Sequence, residues 1–461
     1  MAFEQKDKDE RQDAETPRQM PREMRRNCLL RVFLGASASR RSILFRPGEV
    51  VLSLITQLVC VQCGTTYCEG EADTCPRCGR DEGILDVQFD MVAAAKTLTR
   101  QNLAGRTRSH WRYRELLPLD DAFIPRDGHV GWTPIIDAPR LAAALGIKRI
   151  RLKDDGRNPS GSFKDRPSSV GVARALQLEA KAIACASTGN AASSCACSAA
   201  AAGLPCFIFV AKFVPEGKLA QLLAYGACVF RVQGAYEQAY ELCNQACARF
   251  GWYNRNAAIN PYLVEGKKTG GMELAEQLAD DPPQWVAASV GDGCSIAAIE
   301  KGIRSIKEIG LTNWTSKMLG VQAAGCDPVT RAFETGKLDR SGHGDTYADS
   351  INVAIPRNWR KAVNAVRQSG GAYIDATDEH IKQAVVLTGR LTGVFAEPAA
   401  ACAVAGIAAA RQRGILGPDA DVVAFITGNG LKDVAGALKA VGKPHDIAPS
   451  LDAVEAIVEK I

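Results

Sequence analysis

Lys164 has the residue type and setting that speak most directly of chemistry. It lies in RNPSGSFKDRP (157–167), after a Pro-Ser-Gly turn and at the start of the helical pattern FKDRPSSVGVARALQLEAKA. An amine at that junction is partly desolvated and sits among helix-start amides, and both disfavour its charged form. Only a neutral amine attacks an aldehyde, so the position suits a Schiff-base lysine. A solvated lysine in a first helical turn is the plainer reading of this string alone. Three further segments weigh against it.

Ser187-Thr188-Gly189-Asn190 follows the strand-like IACAS and opens the Ala-rich pattern NAASSCACSAAAAG. Two hydroxyls, a glycine and an amide at a strand-to-helix turn form a nest of donors suited to a carboxylate. The second segment, VAASVGDGCSIAAIEKG, runs from an apolar strand through Gly291-Asp292-Gly293-Cys294-Ser295 into a helix. Glycine there lets backbone N–H groups close around a phosphate at the helix N-terminus, although such turns are common as plain structure. In the third, DVVAFITGNGLKD, Thr427 ends an apolar strand and Gly428 and Gly430 form the turn.

In this order the four segments resemble the fold type II pyridoxal phosphate enzymes, and within them the threonine synthase family. The resemblance covers roughly 105–435 and includes HWRYRELLP, GWTP, NPSGSFKDR, ACASTGNAA, KLAQLLAYGA, WYNRN, EGKKT, VGDGCSIA, GVQA, ADSI, FAEPAAA and TGNGLKD. It implies that Lys164 is the Schiff-base lysine and Asn190 the partner of the cofactor's O3′. Gly291, Asp292, Gly293, Cys294 and Ser295 would cradle the cofactor phosphate, and Thr427 would face the pyridine nitrogen. A neutral hydroxyl there makes a weaker electron sink than a carboxylate, which discourages transamination and favours elimination and replacement at the β and γ carbons. The implied reaction, that of a carbon–oxygen lyase acting on phosphates, converts O-phospho-L-homoserine and water to L-threonine and phosphate. Lys164 would be its general base, with Ser187 and Thr188 on the α-carboxylate. Asn260 and Lys267, with Lys268 and Arg166, are the candidates for the substrate phosphate. Two alternatives share this fold: a cysteate synthase using phosphoserine and sulfite, and a threonine/serine dehydratase. A cofactor-binding protein without activity is a third reading, disfavoured because every expected contact has a chemically competent residue.

Two departures bear on these roles. Pro167 follows KDR where glycine or alanine is usual, which a first helical turn tolerates. Asp292 would set a carboxylate beside a dianion unless it points away. Cys294 reads as a small loop residue offering its backbone N–H, with a thiol nucleophile as the alternative. No histidine lies in a catalytic motif, with His129 and His343 expected in loops. Neither EGKKT nor GNGLKD is a P-loop, so ATP is not implied.

Cys60-x-x-Cys63 and Cys75-x-x-Cys78 stand eleven residues apart as CVQCG and CPRCG. Each CxxC turn aims two thiolates at one point, and two such knuckles make a tetrahedral four-sulfur zinc site with no open position. A structural zinc ribbon is therefore expected at 55–90, with Cys68 a bystander. A ribbon that no longer binds metal, or thiols that pair oxidatively, is the competing reading. The other cysteines, among them Cys185, Cys195, Cys197, Cys206, Cys228, Cys243, Cys247 and Cys402, read as small buried hydrophobes in a reducing cytoplasm.

The elements that must position these groups follow from the pattern. Strands are expected at RIRLK, AIACAS, CFIFVA, CVFRV, WVAASV, MLGVQA and VVAFIT, with helices beginning near Lys164, Asn190, Glu216, Tyr236, Lys267, Ser295, Asp378, Glu397 and Leu431. That alternation predicts an α/β fold of parallel twisted sheets with helices on both faces, ligands gathering at strand carboxyl ends. The resemblance adds two lobes. The expected organisation is an extension at 1–54, the ribbon at 55–90, a catalytic domain at 105–440 with its smaller lobe at about 170–275, and a tail at 441–461. At 461 residues and 46% hydrophobic the chain can bury a large core. A net charge of +5 without an aromatic-interleaved basic stripe argues against nucleic acid. No apolar run is long enough to span a membrane. The partner expected is a small phosphorylated amino acid, and a homodimer is compatible. Residues 1–50, dense in both charge signs, are expected to be disordered and carry no assigned function.

Overall fold

The structure is a computed structural model describing residues 52–459, apart from 126–127, 213, 215 and 258. Most of the N-terminal extension expected at 1–54 lies outside the described residues. Thirteen strands form three sheets among the described residues. The first is a small antiparallel sheet of β1 (Ile55–Cys60), β2 (Thr66–Tyr67) and β3 (Leu85–Phe89), with β1 in the middle. The strands that follow are β4 (Ile135–Asp137), β5 (Arg149–Asp154), β6 (Ile183–Ala186), β7 (Cys206–Val210), β8 (Cys228–Arg231) and β9 (Tyr253–Asn254). Then come β10 (Trp285–Ser289), β11 (Lys317–Ala323), β12 (Ala372–Ala376) and β13 (Asp421–Ile426). A six-stranded sheet has the order β12-β11-β10-β13-β5-β4, parallel except for β4. A four-stranded sheet, β8-β7-β6-β9, is parallel throughout.

All seven strands expected from apolar runs form. The short β4 and β9 and the mixed AYIDA of β12 were not expected, because two or three residues, or an edge strand carrying Tyr and Asp, give no continuous apolar signal.

Seven helices position the site: α1 (Asp165–Gln177), α2 (Asn190–Ala202), α3 (Glu216–Ala224), α4 (Tyr262–Gln277), α5 (Cys294–Glu308), α6 (Trp359–Gln368) and α7 (Pro398–Gln412). The expected helix start near Lys267 is corrected by α4, which begins five residues earlier at Tyr262. Lys267 and Lys268 are therefore interior to a helix and not at its N-terminus. Helix α7, Ala-rich and nearly all buried, starts with Pro398 at its first position, where no N–H is missed. Helix α4 is wedged between α1 and α5 by glycines. A Cβ on Gly266 would stand 2.4 Å from the Arg166 carbonyl oxygen, and one on Gly271 would stand 2.0 Å from that of Ile299. Backbone thus meets backbone on both sides of α4, which fixes the starts of α1 and α5 relative to each other.

Below that wedge Glu273 of α4 collects a buried network. It accepts from Arg166 Nη1 at 3.0 Å, from Thr133 N at 2.7 Å and from Lys153 Nζ. Burial opposes its charge, but Arg166 and Lys153 more than offset this and hold the carboxyl well below its ordinary range. All the guanidinium nitrogens of Arg166 are bonded to Asp155, Glu273, Thr133 or Thr269.

Candidate active site

Lys164 is the residue just before α1. Its turn is stitched to the turn after β13: Phe163 N donates to the Thr427 carbonyl at 2.8 Å, and Asn429 N to that of Gly161 at 3.0 Å. The lysine and the threonine, 263 positions apart in sequence, are thereby neighbours. The amine is half-buried in surface terms. Desolvation first, then the charge of Lys267, pushes its pKa down to about 8. Pro167 is the third residue of α1, within the first turn, where a missing N–H costs no bond.

Ser187, Thr188 and Gly189 form the turn between β6 and α2, with Ser187 Oγ accepting from Gly189 N at 3.1 Å. Asn190 opens α2 and is buried. Its Nδ2 donates to both carboxylate oxygens of Glu397, at 2.9 and 3.1 Å, while its Oδ1 has no partner. Glu397 immediately precedes α7 and is 2% exposed. It abuts Gly428, where a Cβ would lie 2.2 Å from its Oε1. Burial pushes its carboxyl up, partly countered by Asn190 and by the charges of Lys218, Lys164 and Lys432.

The glycine-rich loop joins β10 to α5. Gly293 has φ 95° and abuts Asn358 O and Ala362, each 2.9 Å from where a Cβ would stand. Only glycine fits that conformation and that space. Asp292 turns away from the loop, accepting from Arg357 N at 2.9 Å and Asn358 Nδ2 at 2.7 Å. Cys294 opens α5 and is buried, and Ser295 follows it as the second residue.

The groups expected on the substrate phosphate have other partners. Asn260 spends its amide on Tyr253 Oη and the Asn254 carbonyl, at 2.9 and 3.0 Å. Lys268 is paired with Glu265 at 2.6 Å and sits 3.9 Å above the Phe89 ring. Lys267 is fully buried against the Cys294 thiol. His129 and His343 lie in irregular segments. His110, buried between Ser169 and Thr269, is pushed down to about 3 by burial and by Arg166, so it stays neutral.

Glu397, Lys218 and Lys432 received no role from the sequence, although FAEPAAA, KLAQLLAYGA and TGNGLKD contain them. A charged residue in such a string looks solvated until the fold encloses it. The opposite error occurs at Cys228, which is exposed, and at Cys197, which is half-buried, where buried thiols were expected.

In the small sheet, the sulfurs of Cys60, Cys63, Cys75 and Cys78 all lie within 4.8 Å of one another. Cys60–Cys78 is 3.9 Å and Cys63–Cys75 is 3.7 Å. Four thiolates tetrahedrally placed at about 2.3 Å from zinc stand about 3.8 Å apart, so the set fits that ion.

Residues 126–428 match the family of pyridoxal-phosphate dependent enzymes. The fold and the glycine-cradled turn beside a half-buried amine define the same class, fold type II. The chain is 38% identical over 408 residues to the threonine synthase of Methanosarcina acetivorans, covering 87% of this chain and 99% of that one. It is 35% identical over 405 residues to that of Methanocaldococcus jannaschii, with coverage of 87% and 99%. Within the class, this chain belongs to the threonine synthase family. Among solved structures it resembles the processed form of threonine deaminase isoform 2 from Solanum lycopersicum, with TM-score 0.59, 22% identity and coverage of 67% and 87%. That likeness concerns the fold alone. No helix among the described residues is long and apolar enough to cross a membrane.

Proposed function

We propose that the protein is a threonine synthase, converting O-phospho-L-homoserine and water to L-threonine and phosphate with pyridoxal phosphate as cofactor. The observation that carries this is Lys164: an amine pushed down to about 8, fixed beside Thr427. The Gly293 cradle, too tight for any Cβ, and the orphaned Asn190 Oδ1 fit a bound polar group. Lys164, Asn190, the Gly291–Ser295 loop and Thr427 would hold the cofactor. When bound, it supplies the electron sink that makes the substrate's α and β protons removable and lets phosphate leave from the γ carbon.

The chain's own residues do the rest. Lys164 Nζ takes the proton from the α carbon and then one from the β carbon, a task suited to an amine whose pKa lies near working pH. Ser187 and Thr188 hold the α-carboxylate at the N-terminus of α2. Thr427, a neutral hydroxyl, would face the cofactor's pyridine nitrogen and supply no charge to hold a proton there. Three amines, Lys164, Lys218 and Lys432, bear on the carboxylate of Glu397, and Lys218 is also paired with Asp349 at 3.4 Å. Water adds its hydroxyl at the β carbon, and protons return to the γ and α carbons to complete L-threonine.

The four-cysteine site would hold one structural zinc. The free thiols of Cys195 and Cys206, 3.8 Å apart, suit a reducing cytoplasm. A homodimer is the assembly we favour, since the exposed Leu431, Val434 and Leu438 leave apolar surface to cover. Phosphate release from a panel of phosphorylated amino acids tests the substrate assignment.

A further inference from the structure

We infer that Lys267 is a ligand of the cofactor's phosphate, acting with the first N–H groups of α5, and not a ligand of the substrate's phosphate. This rests on the pyridoxal phosphate reading above. Lys267 is fully buried. Two other lysines are equally buried, and each has a carboxylate: Lys153 pairs with Glu273 and Lys268 with Glu265. Lys267 has none among the described residues. Its polar neighbour is the thiol of Cys294, a weak acceptor and a poor match for a charge. A buried ammonium without a counter-anion is strongly unfavourable, so the position calls for an anion that binds.

The surroundings say where that anion sits. Cys294 is the first residue of α5, a 15-residue helix entered through Gly293 at φ 95°. The opening amides of such a helix lack intrahelical partners and carry its positive end. Lys267 and those amides therefore present positive charge at one point. Asp292, the acidic group of the same loop, is committed to Arg357 N and Asn358 and faces away. The glycine contacts of α4 with α1 and α5 hold the lysine in place, since Gly266 is its immediate neighbour and Gly271 lies one turn on. Lys267 also bears on Lys164, lowering its pKa. A phosphate dianion bound between Lys267 and the helix start would satisfy the lysine and the loop together.

The test uses the full chain and the variant Lys267→Met, which keeps the side chain's length without its charge. Apo wild-type protein is titrated with pyridoxal phosphate and with pyridoxal, which lacks the phosphate, following cofactor absorbance. The expected result is a loss of at least about tenfold in pyridoxal phosphate affinity, with a much smaller change in pyridoxal affinity. The KM for the phosphorylated substrate, at saturating cofactor, stays within about twofold of wild type. In the same protein, inorganic phosphate should raise the melting temperature of apo wild type and not that of apo Lys267→Met. A raised KM with unchanged cofactor affinity would overturn the inference in favour of the substrate's phosphate. No change in either would reduce the lysine to packing and overturn it equally. Should Lys267→Met fail to fold, Lys267→Gln with the same titrations decides. Wild-type protein binding neither pyridoxal phosphate nor pyridoxal would bring down the cofactor reading itself, a result distinct from either.

Discussion

Individual side chains carry most of the chemistry, and their burial sets how they behave. With a pKa near 8 rather than its ordinary 10.5, roughly one Lys164 amine in ten is neutral at pH 7. The shift is downward, so the reactive neutral form gains as pH rises through about 8 and is complete above it. Stopped-flow capture of pyridoxal phosphate by apo protein should accelerate up to about that pH and then level off. An unshifted lysine would keep accelerating to beyond pH 10. Lys164→Ala should retain the fold by circular dichroism yet lose cofactor attachment that borohydride can fix. Fixation in that variant would mean another lysine is used. Asn190→Ala should cost about 1–3 kcal/mol in a urea melt, because Glu397 would keep its buried carboxylate without its donor. The turns that hold Ser187, Thr188, Asn190 and Thr427 were legible in sequence because small polar residues and glycine follow apolar strands there. Glu397 was not, since nothing in FAEPAAA tells that its carboxylate turns inward.

At the scale of elements, the strands read well, whereas α4 was placed too late and α6 was not expected. Apolar runs such as VVAFIT and CFIFVA are long enough to leave little choice of structure. EGKKTGG, with three glycines and two adjacent lysines, reads as a solvated helix start, whereas it is the buried middle of α4. The glycines that weaken it locally are what its packing needs. Gly271→Ala would press a methyl onto the Ile299 carbonyl, 2.0 Å away, and must move α4 from α5. The expected cost is about 1–3 kcal/mol of stability, with a weaker hold on cofactor because the α5 start shifts. A melt and a cofactor titration on the same sample check both; unchanged values would show that the helices can slide freely.

For the whole molecule, the relation of the four-cysteine sheet to the catalytic core matters most. With the ribbon expected at 55–90 and the catalytic domain at 105–440, the sequence alone would let the ribbon be detachable, its loss sparing the cofactor. Asp86 of β3, however, accepts from Lys301 of α5 at 3.1 Å and from Lys361 of α6 at 2.8 Å. Gly70 N donates to Tyr262 Oη at the head of α4 at 3.0 Å. The ribbon thus grips α4, α5 and α6, of which α5 begins at the glycine loop and α6 follows Asn358, which abuts Gly293. Metal analysis should give about one zinc per chain. Replacing Cys60 and Cys63 with serine should abolish it and lower cofactor affinity as well, whereas full cofactor absorbance after metal loss would restore the detachable ribbon.

The central claim concerns what the assembled site turns over. Purified protein supplied with pyridoxal phosphate and O-phospho-L-homoserine should release phosphate and form L-threonine in equal amounts, with little ammonia or keto acid from serine or threonine. Cysteate from phosphoserine and sulfite, with O-phosphohomoserine left untouched, would contradict the account and move the protein to the related replacement chemistry.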